Sequence, residues 1–289
     1  MPVVLLFIIF VIGLVIAIPV SITLGITSVL PSVFDPSFTV GAKYLIRAMF
    51  GGLDSFPLLA VPMFVLSGII MAKGGISRKL FDIFAYFLGN LTAGMPCAVI
   101  VTCLFYGAIS GSAPATVAAV GSMTIPILTS LGYDLTFSTA IVAVAGGLGV
   151  IIPPSIPFIM YGMASGASVS DLFLAGIIPG LMIGGLLMFY AIFYCKRNGE
   201  DKAKIHAEVK RLHDKGLFKV VKESFFAILS PVIILGCIYS GIASPTEAAV
   251  ISVFYALFIS LFVYKSICIK DIWSILQEAV KTFSPILFI

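Results

Sequence analysis

The sequence predicts an all-α integral membrane protein in which a re-entrant hairpin and a broken helix interrupt the spans. Three observations carry that reading. Of the 289 residues, 60% are hydrophobic and 10% charged, whereas a soluble domain carries roughly 25% charged residues. Apolar stretches approaching the length of about 20 residues that a bilayer requires recur along the chain. Two are interrupted, by SGSAPAT at Ser110–Thr116 and by GGLGVIIPPSIP at Gly146–Pro157, where a spanning helix would hold Leu or Val.

The first span is placed near 3–33. It has no basic leader region and no small-residue cleavage site, so it reads as a retained span rather than a signal peptide. An amphipathic segment follows at 39–52, then spans near 54–72 and 80–95. Residues 96–131 form two apolar arms of about 15 residues around SGSAPAT, each about 22 Å long at the helical rise. A bilayer core is about 30 Å thick, so this segment is expected to enter and leave on one side. Further spans are placed near 135–163, 171–195, 225–243 and 247–264, with another beginning near 283. A second amphipathic segment at 269–282 precedes that last one. LDSFPLLAV and TFSPILFI, each following an amphipathic segment, hint at an internal repeat.

Orientation follows from basic residues in short loops. Lys196–Glu223 holds nine Lys/Arg against five Asp/Glu and is expected on the cytoplasmic side. Counting spans backwards puts Lys43 and Arg47 inside and the N-terminus outside, but leaves Lys73, Arg78 and Lys79 outside as well. Within the loop, Ile205, Val209 and Leu212 recur at helical spacing, which predicts an amphipathic helix on the membrane surface. His206 and His213 on it read as solvated side chains rather than a metal site. Cys97, Cys103, Cys195, Cys237 and Cys268 form no CxxC pair and read as small hydrophobes in packed or lipid-facing positions.

The two interruptions carry the chemistry. Irregular backbone survives at bilayer depth only where protein buries it or water reaches it. Half-helix ends at such breaks present carbonyls to cations and N–H groups to anions. Pro114 suits the first turn of a second arm, and Gly111 permits a tight turn. Pro153 and Pro154 remove two donors from the later helix. Carbonyls beside the Ser110 and Ser112 hydroxyls form a set of hard oxygen ligands, a type suited to Na⁺. Simple kinks are the competing reading, and the GxxxG spacings at Gly107/Gly111, Gly176/Gly180 and Gly180/Gly184 indicate close helix packing. No Asp, Glu, Lys or Arg occurs in 83–133, 135–170 or 172–195, which argues against a proton relay there. HExxH, GxxxxGK[ST] and GxSxG are absent from the sequence, so neither an enzyme nor ATP hydrolysis is indicated. The net charge of +4 is small and gives no indication of nucleic-acid binding.

Five stretches in order, LDSFPLLAVPMFVLSG, YGAISGSAPATVAAVGSMTIP, GLGVIIPPSIPFIMYG, DLFLAGIIPGLM and GIASPTEAAVISVFYAL, resemble the large membrane subunit of TRAP transporters, the tripartite ATP-independent periplasmic family. The resemblance implies a sodium-driven secondary transporter with an ion-transporter-superfamily elevator fold of inverted repeats. Its substrate would be a small organic acid such as a dicarboxylate or sialic acid. It implies two partners, a small four-span membrane subunit and a periplasmic substrate-binding protein, in a bacterial inner membrane with a periplasmic N-terminus. Sodium would be bound by Ser110 and Ser112 on the hairpin tip and by Gly149, Ile152 and Pro154 on the break. Ser112 and Ser155 would face substrate.

The domain division expected on this basis is scaffold with an arm helix at 1–79 and transport elements at 80–170. A span at 171–195 and a cytoplasmic loop at 196–224 follow, then scaffold, second arm and the start of a second repeat at 225–289. The first 289 residues hold one hairpin and one broken helix, so a second pair and the carboxylate-reading group are expected beyond them, and this segment by itself is not expected to transport. A stand-alone sodium/dicarboxylate symporter of the same superfamily and a channel or structural subunit are the rival readings.

Overall fold

The computed structural model describes residues 3–34 and 42–288, and among them helices and turns account for the fold, with no strand. Two compact units divide the chain: Met1–Phe56 with Lys281–Ile289, and Pro57–Val280.

In the first unit the span expected over 3–33 is two helices, α1 (Val3–Val15) and α2 (Val20–Phe34). The chain turns between them through Ala17 at φ 63°, beside Pro19, which has no N–H to continue a helix. The turn brings Thr23 against Gly13, where a Cβ would lie 2.5 Å from the threonine methyl. Helix α3 (Ala42–Leu53) covers most of the first amphipathic segment; residues 39–41 lie outside the described residues.

The second unit begins at Pro57, within a 3₁₀ turn at Phe56–Leu59 that runs into α4 (Ala60–Lys73), followed by α5 (Ile76–Leu88), α6 (Gly94–Ser110) and α7 (Ala113–Ser130). Then come α8 (Leu135–Gly146), a 3₁₀ turn at Gly147–Val150, α9 (Ile156–Ser165), α10 (Val169–Asn198) and α11 (Lys202–Asp214). Last are α12 (Leu217–Tyr239), α13 (Pro245–Phe258), a π-helical turn at Ile259–Val263, and α14 (Asp271–Phe288), whose final residues group with the first unit. A capping box of Ser244 and Glu247 starts α13, each side chain satisfying one of the first-turn donors.

Helix α6 is the centre of this unit, with 15 of its 17 residues buried. Helix α10 contrasts with it: only Phe173, Gly176, Gly180, Gly184, Ala191 and Cys195 are buried. Its glycine stripe is where other segments of the protein press in. A Cβ on Gly176 would meet the Ile151 carbonyl, one on Gly180 would meet the Ile152 side chain, and one on Gly184 would meet Leu104. The GxxxG spacings therefore mark close approach, as expected.

Two expectations are corrected here. The span placed at 80–95 is instead the 13-residue α5, about 20 Å long and too short to cross a bilayer. It ends at Leu88, and residues 89–93 separate it from α6. The apolar stripe of α11 does not lie on the membrane: Ile205, Val209 and Leu212 are buried, and Val209 packs where a Cβ on Gly89 would stand, at the end of α5. His213 packs against Tyr86 with ring centroids 4.2 Å apart and ring planes tilted by 45°. Of the cysteines, Cys97, Cys103 and Cys195 are buried while Cys268 is exposed.

Because α5 does not cross, the sidedness of the basic residues changes. Lys79 Nζ lies 2.6 Å from Glu223 Oε2, and the Ser224 hydroxyl donates to the Lys79 carbonyl at 2.7 Å. Tyr264 O–H donates to the Glu223 carbonyl, and Ser266 O–H to the Gly74 carbonyl. Lys73, Arg78 and Lys79 therefore share one face with the loop 196–223 instead of lying opposite it. At the far end, 166–168 and 240–244 contain no Lys or Arg.

Candidate functional site

Helices α6 and α7 form the expected hairpin, about 26 Å along each arm, and its base closes on one side. The N–H of Ala93, just before α6, donates to both carboxylate oxygens of Glu200 at 3.1 Å. Tyr133 O–H, just after α7, donates to Glu200 Oε1 at 2.5 Å. Both ends of the hairpin thus meet one carboxylate. Burial raises the Tyr133 phenol well above its ordinary range, and the hydrogen bond to Glu200 adds to this.

At the tip, α6 ends at Ser110 and the chain reverses through Gly111 at φ 61°, a left-handed conformation that costs glycine little. Ser112 is extended and starts α7, with Pro114 in the first turn. The Ser112 carbonyl is the focus of the tip. It accepts from Thr116 N at 3.0 Å, from Thr116 Oγ1 at 2.9 Å and from Ser110 Oγ at 3.3 Å. Ser110 Oγ and Thr116 Oγ1 are 2.9 Å apart. Ser110 and Thr116 are 1% and 0% exposed.

The break in the following helix meets this tip. After Gly147–Val150 the chain passes through Ile151–Ser155, with a cis bond between Pro153 and Pro154, before α9 begins. Ile156 N donates to the Gly111 carbonyl at 3.2 Å, tying break to tip. Two glycines permit the approach. A Cβ on Gly107 would stand 2.6 Å from Gly149 Cα, and one on Gly149 would stand 2.4 Å from Thr116 Oγ1 and 3.0 Å from the Ser112 carbonyl oxygen. Gly111 faces the Pro154 carbonyl in the same way. From the other side, Gly68 of α4 sits against Ser110, and Tyr106 O–H donates to the Gly68 carbonyl at 2.8 Å.

The structure therefore gathers Ser110, Ser112 and Gly149 tightly, with Pro154 adjoining through Gly111. Ile152 is buried but turns its side chain to Gly180 of α10. Ser155 is fully buried, and its hydroxyl caps α9: it donates to the Val150 carbonyl at 2.6 Å and accepts from Phe158 N at 3.4 Å. Thr116 went unselected in the sequence reading although it lies inside SGSAPAT; its signal is its place one turn into the second arm, facing back to the tip. Gly68 and Glu200 gave no local signal. All the donors gathered here are neutral oxygens, hydroxyls of Ser110 and Thr116 and backbone carbonyls, a set that fits a hard monovalent cation.

The sequence profile described as the tripartite ATP-independent periplasmic transporter, DctM component, matches residues 7–289. The chain is 42% identical over 278 residues, 96% of its length and 43% of the relative's, to an isethionate TRAP transporter permease protein of Oleidesulfovibrio alaskensis. To the C4-dicarboxylate TRAP transporter large permease protein of Rhodobacter capsulatus it is 32% identical, over 94% of this chain and 63% of that one. To the sialic acid TRAP transporter large permease protein of Vibrio cholerae it is 36% identical, over 84% and 56% respectively. The chain thus spans about half the length of the curated relatives it matches. These relatives are transporter permeases, not enzymes, and the chain belongs to the DctM component family of the tripartite ATP-independent periplasmic transporters.

Proposed function

We propose that this chain forms part of a sodium-coupled uptake system for a small organic acid, with the junction of hairpin tip and broken helix as a sodium site. The observation that supports it is the convergence of Ser110 and Thr116 hydroxyls on the Ser112 carbonyl, at a backbone break, in a region without ionisable side chains. Sodium would be held by these oxygens and by carbonyls of the break around Gly149, Ile152 and Pro154. Charge is compensated by dipoles rather than by a carboxylate, so the site gains and loses its ion without a proton. Ser112 lies beside that site and is the residue best placed to sense substrate there. Ser155 would act by shaping the start of α9.

In this reading the hairpin and broken helix are the moving elements of an elevator. The flanking spans are scaffold, α3 and α14 are the arms bracing them, and the substrate arrives from a periplasmic binding protein with a small membrane subunit alongside. The bacterial inner membrane is the proposed location. The face bearing Lys79 and Lys196–Glu223 is cytoplasmic, since Lys79 pairs with Glu223 there while the loops 166–168 and 240–244 at the far end hold no Lys or Arg.

Sodium binding is testable apart from transport. An ion held at 100 times its Kd stabilises the fold by about 2.7 kcal/mol. Sodium, and not potassium at equal ionic strength, is expected to raise the unfolding temperature of the purified chain, and Ser110→Ala with Thr116→Val, which removes both converging hydroxyls, to remove the difference. Equal stabilisation by both salts, or an unchanged sodium effect in the double variant, overturns the site. In the assembled transporter the same pair is expected to lower apparent sodium affinity about tenfold for each 1.4 kcal/mol lost.

A further inference from the structure

We infer that Glu200 is a positioning residue for the hairpin tip, acting from the opposite end of α6 and α7. Three observations carry this. First, one carboxylate accepts from both hairpin ends, Ala93 N and Tyr133 O–H, so α6 and α7 are held in fixed register at their base. Second, those two donors have little water to turn to: Ala93 is fully buried and Tyr133 is 9% exposed, and a buried donor left without a partner is costly. Third, α6 is packed along nearly its whole length, and packed interiors transmit displacement rather than absorb it. A slip of α6 against α7 at the base shifts Ser110 relative to Ser112 and Thr116 at the tip. It also shifts Gly107 relative to Gly149, where there is no room for movement towards the break.

Glu200 is carried by the turn between α10 and α11, so the clasp joins hairpin and α10 into one body. The same turn places Asp201 against Gly132, 3.3 Å from where a Cβ would be, and Asp201 caps α11 by accepting from Lys204 N. The glycine stripe of α10 meets the broken helix and α6. Base and tip are then fastened to the same helix at two heights. The inference concerns the geometry of the tip and stands whichever ion, if any, that tip holds.

Amide hydrogen exchange of the full chain in lipid nanodiscs, without sodium, tests it. Glu200→Met keeps the bulk and removes the acceptors, while Glu200→Gln keeps an acceptor oxygen without the charge. Exchange in Glu200→Met is expected to rise about tenfold both at the base (91–97 and 131–136) and at the tip (110–116 and 149–156). Glu200→Gln is expected to return the tip to within about threefold of the unaltered chain. Peptides from α12 and α13 serve as the internal check on folding. Should Glu200→Met misfold, Tyr133→Phe removes one donor and is expected to give the same pattern at smaller amplitude. A loosened base beside an unchanged tip would make Glu200 a local cap only, and equal behaviour of Met and Gln variants would rule out the acceptor role; either result overturns the inference.

Discussion

The two ends of the hairpin are fixed by opposite means. At the tip, Gly68, Gly107, Gly111 and Gly149 bring backbone against backbone, and the polar groups are neutral hydroxyls and carbonyls. At the base and the surrounding face, carboxylates and cations hold the chain: Glu200 on Ala93 and Tyr133, Glu223 on Lys79, Asp82 on Arg78. The tip is specified by the absence of side chains and the base by their charge. Shape cannot be rehydrated, whereas the partly exposed Lys79–Glu223 and Arg78–Asp82 pairs can; only the Glu200 clasp, whose donors are buried, lacks that relief at the base. The tip should therefore tolerate far less change.

The largest expected effect follows at Gly149. A single methyl there meets Thr116 Oγ1 and the Ser112 carbonyl, and overpacking of this kind costs about 1–3 kcal/mol or more. Gly149→Ala is expected to lower the unfolding temperature and abolish sodium stabilisation. Gly147→Ala, where a Cβ meets nothing within 4 Å, should stay within about 0.5 kcal/mol. Equal tolerance at both glycines, read by thermal unfolding, would erase the distinction between the two ends.

At the base the packing of α11 on α5 is next in size. Val209 is 1% exposed, and Val209→Ala is expected to cost about 2 kcal/mol through the cavity it leaves. A helix lying free on lipid would lose much less, so the denaturation midpoint distinguishes the two settings.

A smaller, pH-dependent effect is expected at Asp82. Burial raises its carboxyl above the ordinary value, against the lowering pull of Arg78, Lys215 and Lys79. An acid whose pKa is raised by folding binds its proton more tightly in the fold, so stability falls as pH rises from near 3.8 through the folded value. Asp82→Asn should flatten that fall and gain under about 1 kcal/mol at pH 7, because Arg78 is 40% exposed and stays hydrated. A steeper pH dependence in the variant would show that the ion pair outweighs burial.

Smallest of all is Arg211→Ala, which breaks the exposed pair with Glu208 and should shift stability by about 0.3–0.5 kcal/mol, less at high salt. Separately, labelling in intact cells sharpens the charge asymmetry of the two faces. Ala203→Cys should react only from inside and Ala167→Cys only from outside; labelling of both from one side would contradict it.

Much of this was legible because Gly and Pro punctuate the chain. SGSAPAT and GGLGVIIPPSIP announced the tip and the break without any long-range information, and the GxxxG spacings announced the seats for them. What stayed hidden depended on contacts distant in sequence. The run 80–95 reads as apolar enough to span, but α5 ends at Leu88, α6 begins only at Gly94, and only the packing of α11 shows where α5 lies. The stripe Ile205, Val209 and Leu212 was visible; that it faces protein rather than lipid was not. The turn near Ala17 was masked by hydrophobicity that continues unbroken through it. Glu200 looks like any loop carboxylate until Ala93 and Tyr133 are seen on it.

The clasp at Glu200 also sets an order in time. Its oxygens are made 107 residues after the Ala93 amide and 67 after Tyr133. At synthesis rates of about 5–20 residues per second, roughly 5–20 s pass between the first of these groups and the last. For the last 67 residues of that interval, roughly 3–13 s, both arms of the hairpin exist while the group that closes its base does not. The newborn hairpin must therefore wait, open at the base and sheltered by the insertion machinery or by lipid, until α10 has crossed and its final turn has emerged.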